Sequence, residues 1–132
     1  MTERVIIVIQ PTAENALYCH LVKGQALFTK SAEDKKLDRV LLPLIDHVLK
    51  QKKVSASSIY AIGLAQSPMS LASQRLAVSV VNSLGWAWGV KTFVFTGVVS
   101  LESIQKSVKK SKKGFLKAEY SSAPRIGSGV RR

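Results

Sequence analysis

The residues from Leu64 to Gly89 place small polar side chains between an apolar run and a long helical pattern. The first N–H groups of a helix lack intrahelical partners and the helix dipole favours anions, so phosphate groups bind at such junctions. Phosphate-binding turns are rich in glycine, because the backbone must approach the anion closely. The turn from Gln66 to Ser70 contains no glycine. We therefore expect a structural turn here and not a phosphate site.

Side chains that could hold a metal ion or act as nucleophiles are few and scattered. His20 and His47 lie far apart and no cluster of Cys or Asp accompanies them, so we predict no metal site. His20 is expected to be a strand residue with a local hydrogen bond, and His47 a surface helix residue. The serines of the turn, Ser67, Ser70 and Ser73, have no adjacent base and no G-x-S-x-G motif. The residues thus predict no catalytic group and no cofactor.

The single cysteine, Cys19, excludes an intrachain disulfide and suits a reducing cytosol. It lies in an apolar strand pattern, so we predict a buried, unreactive thiol. No stretch approaches the roughly 20 continuous apolar residues of a membrane span. The N-terminus lacks the features of a signal peptide. The expected location is the cytoplasm, with no membrane partner.

The chain has 132 residues and 46% hydrophobic content, which is enough for one folded domain with a single core. Its net charge is +12, from 20 basic and 8 acidic side chains. The basic residues are concentrated towards the C-terminus. We therefore divide the chain into a folded lobe over residues 1–110 and a basic, partly flexible extension over residues 111–132.

Apolar periodicity predicts an α/β fold with a mixed five-stranded sheet in the order βββ-α-β-α-β-α. The predicted strands are Val5–Ile9, Ala16–Val22, Gln25–Thr29, Ile59–Ala65 and Lys91–Phe95. A sixth strand could follow at Phe115–Tyr120. The predicted helices are Asp34–Lys52, which Pro43 should break or kink, a second helix that ends at Gly89, and a short third helix near Leu101–Val108.

Both long helices carry more apolar surface than one sheet contact requires. On the second helix, the predicted sheet-facing residues are Met69, Leu76, Val80, Leu84 and Ala87. A separate stripe of apolar and small residues remains there, and further apolar residues widen the arc of the first helix. We predict that these residues contact a partner, although they could instead be ordinary core. They are Leu42, Ile45, Leu49, Leu71, Gln74, Val78 and Gly85.

Several motifs together resemble one protein family. They are Leu41-Leu42-Pro43, Ile45-Asp46 with Val48-Leu49, and Ser100-Leu101-Glu102 after a strand and a glycine. The element order is that of one ribonuclease H-like lobe of the actin-like ATPase, sugar kinase and Hsp70 fold. Over about residues 4–104 the chain resembles the N-terminal domain of the TsaB (YeaZ) family. That resemblance implies a subunit of the bacterial machinery that makes threonylcarbamoyladenosine in tRNA. It also implies that the first two helices pair with another copy or with the catalytic TsaD subunit.

The chain departs from this family at the positions that would bind a nucleotide. Family members usually have Asp-Thr-Ser where this chain has Gln10, Pro11 and Thr12. Their glycine-rich turn, of the form GRGPGSFTGLR, corresponds here to AQSPMSLASQR, Ala65–Arg75. We expect no second lobe within the given residues, since only a short stretch follows Tyr120. Phosphoryl transfer needs a carboxylate near magnesium, backbone donors and a second wall. We therefore expect a non-catalytic lobe that acts as a homodimer or with a TsaD-like subunit.

The basic C-terminal stretch, residues 106–132, allows two interpretations. Its lysines could contact the backbone of tRNA through charge alone, or they could form a solvated end that keeps the domain soluble. The candidate RNA contacts are Lys109, Lys110, Lys112, Lys113 and Lys117. The alternative function is therefore a basic tRNA- or RNA-contacting protein built on an inactive actin-like scaffold.

Overall fold

The computed structural model describes residues 4–12, 16–33, 37–66 and 71–111. The strands of the described region are β1 Val5–Pro11, β2 Ala16–Lys23, β3 Ala26–Glu33, β4 Ile59–Gln66 and β5 Lys91–Thr96. The helices are α1 Leu37–Gln51, α2 Leu71–Trp88 and α3 Leu101–Val108, with a 3-10 turn at Ala56–Ser58 before β4. The predicted fold class and element order are confirmed. The strand predicted at Phe115–Tyr120 lies outside the described residues.

The five strands form one mixed sheet in the order β3-β2-β1-β4-β5. β1 pairs antiparallel with β2 and parallel with β4, while β5 pairs parallel with β4. The tight β2–β3 hairpin turns at Gly24, whose φ of 64° favours glycine. β1 is central and covered on both faces, which explains its continuous run of β-branched residues.

Helices cover the two faces of the sheet unequally. On one face α1 and α2 pack over a core built around Ile7, Ile9, Leu21, Ile62 and Leu64. On the other face α3 inserts Ile104 into a smaller cluster, which also contains aromatic and aliphatic side chains of β1, β4 and β5. The connection from β3 through α1 to β4 and the connection from β4 through α2 to β5 therefore lie on the same face of the sheet.

Pro43 does not break α1, because the helix is continuous from Leu37 to Gln51, so that part of the prediction is wrong and the alternative effect, a kink, stays a prediction. Proline removes one backbone N–H, which leaves the carbonyl of Arg39 without its usual helical donor. Arg39 and Pro43 are both exposed, so this turn of the helix lies on the solvent side of α1, where water can replace the missing helical donor. The exposed position explains why the proline is tolerated inside the helix.

Candidate partner and anion surfaces

The end of β1 carries a neutral hydrogen-bonded array in place of an acidic group. His20 Nε2 lies 2.8 Å from Gln10 Oε1, and His20 Nδ1 lies 2.8 Å from Thr29 Oγ1. An amide oxygen can only accept, so Nε2 of the neutral ring donates to Gln10 and Nδ1 accepts from the Thr29 hydroxyl. Burial lowers the pKa of His20 to about 4. The local hydrogen bond predicted for this strand histidine is present.

This array occupies the place where the family resemblance would put an aspartate. Gln10 cannot supply a negative charge to a magnesium ion, and its side-chain oxygen accepts a hydrogen bond from the Nε2–H group of His20. Within the described residues, no group of three or more His, Cys, Asp or Glu side chains could hold a metal. The turn at residues 67–70 lies outside the described residues, so its expected structural role stays a prediction.

Cys19 lies in the interior, as predicted. Its side chain is fully buried in the core under α1, and desolvation raises the pKa of the thiol to about 12. A thiol of this kind is protonated at neutral pH and inaccessible to reagents. Cys19 therefore acts as a small apolar core residue.

The structure corrects part of the predicted assignment of the two faces of α2. Gln74 and Val78 are buried, and Gly85 faces Thr92 of β5 and Ile62 of β4. These three residues, which we predicted to contact a partner, are therefore buried within the lobe. Of the residues predicted to face the sheet, Val80 and Leu84 are half-buried and pack against the core, Leu76 is half-buried and Ala87 is exposed. Met69 lies outside the described residues. A glycine can approach the sheet more closely than leucine, which explains the rotation of the helix.

On α1 the predicted partner residues divide in the same way. Ile45 is 2% exposed and belongs to the core, whereas Leu42 is 53% exposed and Leu49 is half-buried. Ile45 is buried because it lies next to Leu41 and Leu44 on the arc that faces the sheet. The side chain of Leu71 lies outside the described side chains. Partner contact by any of these residues stays a prediction.

Helix geometry places the remaining exposed and half-buried apolar residues along the facing sides of α1 and α2. The two helices run side by side in the same direction, because each follows one strand and precedes a parallel one. The right-handed helical turn then places Leu42 and Leu49 on the α2 side of α1. It also places Leu76, Val80 and Leu84 on the α1 side of α2. These five residues are named here the α1–α2 groove.

A second surface contains positive charge at the edge of the sheet where β1, β4 and β5 begin. Arg4 lies over the ring of Tyr60, with Cζ 4.3 Å from the ring centre. Lys91 Nζ lies 5.2 Å from the same ring centre and donates a 3.2 Å hydrogen bond to the Tyr60 hydroxyl. This hydrogen bond and the charges of Lys91 and Arg4 lower the pKa of Tyr60.

The sequence alone did not indicate that Arg4, Tyr60 and Lys91 form a group. Each of the three residues lies directly before a predicted strand or within its first two residues. Because neighbouring parallel strands begin at the same edge of a sheet, these positions were a signal that the three residues could meet. Of the lysines proposed for RNA contact, Lys109 and Lys110 follow α3 and are exposed. Lys112, Lys113 and Lys117 lie outside the described residues.

Among the helices that the structure describes, none combines the length and hydropathy needed to cross a bilayer.

Comparisons with known proteins show which solved structures have a similar fold. No protein-family model and no curated protein sequence matches the chain. Among solved structures, it is similar to YeaZ from Pseudomonas aeruginosa, with a TM-score of 0.64 and 19% identity over 70% of this chain. It is also similar to a crystal structure described as an uncharacterized protein with similarity to peptidase YEAZ from Pseudomonas aeruginosa. That match has a TM-score of 0.62 and 20% identity over 73% of this chain. The aligned region spans 43% and 44% of those chains, less than half of each. The described chain therefore has the fold of a YeaZ-like lobe.

Proposed function

We propose that this chain is a non-catalytic TsaB-like subunit that supports a TsaD-type enzyme in the synthesis of threonylcarbamoyladenosine in tRNA. The observation that carries the proposal is the YeaZ-like fold over 70% of the chain. The fold agrees with the motifs of α1 and of the α3 start that resemble the same family. The surfaces and the chemistry of this lobe support the same role.

The α1–α2 groove is the part of the lobe that fits a pairing role. Leu42 is half exposed, and Leu49, Leu76, Val80 and Leu84 are only half-buried. A row of apolar side chains at the surface is stabilised when a second apolar surface removes it from water. A helix from a second copy or from a TsaD-type subunit would pack between α1 and α2 in this position.

A non-catalytic role agrees with the chemistry at the end of β1. Phosphoryl-transfer enzymes use a carboxylate to hold magnesium near the phosphates. Here Gln10 supplies an uncharged amide, which is bound to the neutral ring of His20. A site of this composition does not compensate the charge of a magnesium ion, so the lobe would bind a partner subunit and would not take part in catalysis.

The test replaces an exposed groove residue and measures association. Leu42→Glu should weaken both self-association in sedimentation velocity and co-purification with a TsaD-type subunit, because a carboxylate would be buried in an apolar interface. Val98→Glu is the matched control, since Val98 is 83% exposed on the loop before α3, away from the groove. Association that survives Leu42→Glu unchanged, or that falls equally in both variants, would contradict the groove as the interface.

A second measurement tests the non-catalytic part of the proposal. Titration calorimetry of the wild-type chain with ATP and magnesium should show no binding in the micromolar range. Clear micromolar binding would show that the neutral array at Gln10 and His20 does not prevent nucleotide binding, and would refute the pseudoenzyme interpretation.

A further inference from the structure

The cluster of Arg4, Tyr60 and Lys91 brings two cations to one phenol. Both cations lie within 5.2 Å of the centre of the same ring, and they come from residues far apart in the sequence. Lys91 donates to the Tyr60 oxygen, so the hydroxyl proton of Tyr60 remains available to another acceptor. The cluster therefore presents guanidinium, ammonium and phenol donors from neighbouring strands.

The positive charge of this cluster is not neutralised by any carboxylate whose side chain the structure describes. The ion pairs in the described part of the chain are Lys50–Asp46 on α1 and Lys106–Glu102 on α3, each between exposed residues one turn apart. Glu102 lies in the first turn of α3, and the opposite end of the helix is the one that points towards the cluster. Glu102 is therefore at the far end of α3 from the cluster. Like charges held together without a counterion attract an anion from solution.

The end of α3 extends this positive surface. Val108, the last residue of α3, packs in the same apolar cluster as Tyr60. Lys109 and Lys110 follow it immediately and are exposed. Because α3 follows the end of β5 and packs back over the sheet, its C-terminal end points towards the edge where β1, β4 and β5 begin, and Lys109 and Lys110 add positive charge on that side. We name Arg4, Tyr60, Lys91, Lys109 and Lys110 the basic edge.

We propose that the basic edge binds the phosphodiester backbone of RNA. Arginine, lysine and tyrosine donors are the groups that contact phosphate oxygens in nucleic-acid complexes. Among the described residues, the exposed large apolar side chains are Leu42, Trp86, Val94 and Val98, and none of them is part of the basic edge. The basic edge thus lacks the apolar centre of a typical protein interface, which favours RNA over an acidic protein. The identification of the RNA as tRNA rests on the proposed function. The binding of an RNA backbone rests on the positions of the charged groups in the basic edge.

The experiment measures fluorescence anisotropy of labelled tRNA with the full chain across a series of salt concentrations. The slope of log K against log salt counts displaced counterions, so each lost phosphate contact lowers its magnitude by about one. We expect Arg4→Gln with Lys91→Gln to lower the slope by about two and to weaken binding roughly tenfold at 0.1 M salt. Lys109→Gln with Lys110→Gln, which changes only exposed residues, should have a similar effect.

A matched control removes the same charge elsewhere. Arg39 on α1 and Lys30 on β3 are exposed and lie outside the basic edge, so Arg39→Gln with Lys30→Gln should leave the slope nearly unchanged. Equal losses in the control and in the basic-edge variants would overturn the proposal, because net charge alone would then explain binding. Absence of tRNA binding by the wild-type chain would overturn it too. Neither result would affect pairing through the α1–α2 groove, which the Leu42→Glu measurement tests separately.

Two competing probes distinguish the source of the anion. Inorganic phosphate at millimolar concentration and polyglutamate of similar total charge are each added to the tRNA complex. We expect both to compete weakly, in proportion to ionic strength. Strong competition by inorganic phosphate would make the basic edge a free-phosphate site. Strong competition by polyglutamate would make it a site for acidic proteins. Either outcome would refute RNA as the ligand.

Discussion

The ring of Phe93 on β5 lies directly over the Cα atom of Gly63 on β4. The two residues are partners in the parallel β4–β5 ladder, and a methyl group added to Gly63 would come within 2.3 Å of Phe93 Cζ. Phe93 is buried in the α3-side cluster, so its ring has little room to move. The missing side chain of Gly63 is therefore what allows an aromatic ring to fill this face of the sheet.

The first prediction concerns this contact. Gly63→Ala should lower the free energy of unfolding by about 1–3 kcal/mol, because overpacking a core forces side chains or backbone to shift. Denaturant unfolding monitored by circular dichroism measures the change. In a Phe93→Leu background, where the ring is absent, the same substitution should cost much less. If Gly63→Ala costs the same with and without the ring, the steric explanation is incorrect.

The second prediction concerns the contact of α2 with β5. A methyl group on Gly85 would lie 2.6 Å from Thr92 Cγ2. Alanine is favoured over glycine inside a helix by about 1 kcal/mol, and the clash opposes this gain. Gly85→Ala should therefore stabilise the protein by about 1 kcal/mol only in a Thr92→Ser background, which removes the methyl and keeps the hydroxyl. Thermal unfolding of the four members of this cycle tests the prediction. Equal effects of Gly85→Ala in both backgrounds would exclude the contact.

The third prediction concerns the pH dependence of stability. The pKa of His20 is lowered from 6.5 to about 4 by burial, so the unfolded chain binds a proton more readily than the folded one. The stability from a neutral His20 is thus complete above pH 6.5 and is lost as the pH falls towards 4. Urea unfolding between pH 4 and pH 8 should show a steeper decline for wild type than for His20→Gln, which does not titrate. Parallel curves for the two proteins would mean that His20 is not responsible.

The fourth prediction concerns Cys19. Burial raises the pKa of its thiol to about 12, so the reactive thiolate is rare at pH 8 and the sulfur is also shielded. Alkylation by iodoacetamide at pH 8 should be at least roughly a thousandfold slower in the native protein than in denaturant. Mass spectrometry of quenched samples measures both rates. Comparable rates would place Cys19 at the surface and contradict its assignment to the core.

Local patterns in the sequence were enough to predict the fold. The β-branched run from Val5 to Ile9 indicated a strand covered on both faces, and the burial of Cys19 followed from its apolar neighbours. The hydrogen bond of His20 was also expected. These features depend on side-chain periodicity and polarity over a few residues, which the sequence contains directly. The continuity of α1 through Pro43 was not predicted, because it depends on that position being exposed.

By itself, the sequence determined that α1 and α2 carry wide apolar arcs; only the tertiary structure decided which part of each arc meets the sheet. A wide apolar arc permits several rotations of a helix about its axis, and the close approach of Gly85 to Thr92 selects one. The sequence likewise contained Arg4, Tyr60 and Lys91 but did not group them. Pairing of β1, β4 and β5 brings these residues together, because parallel strands begin at one edge whatever the length of chain between them.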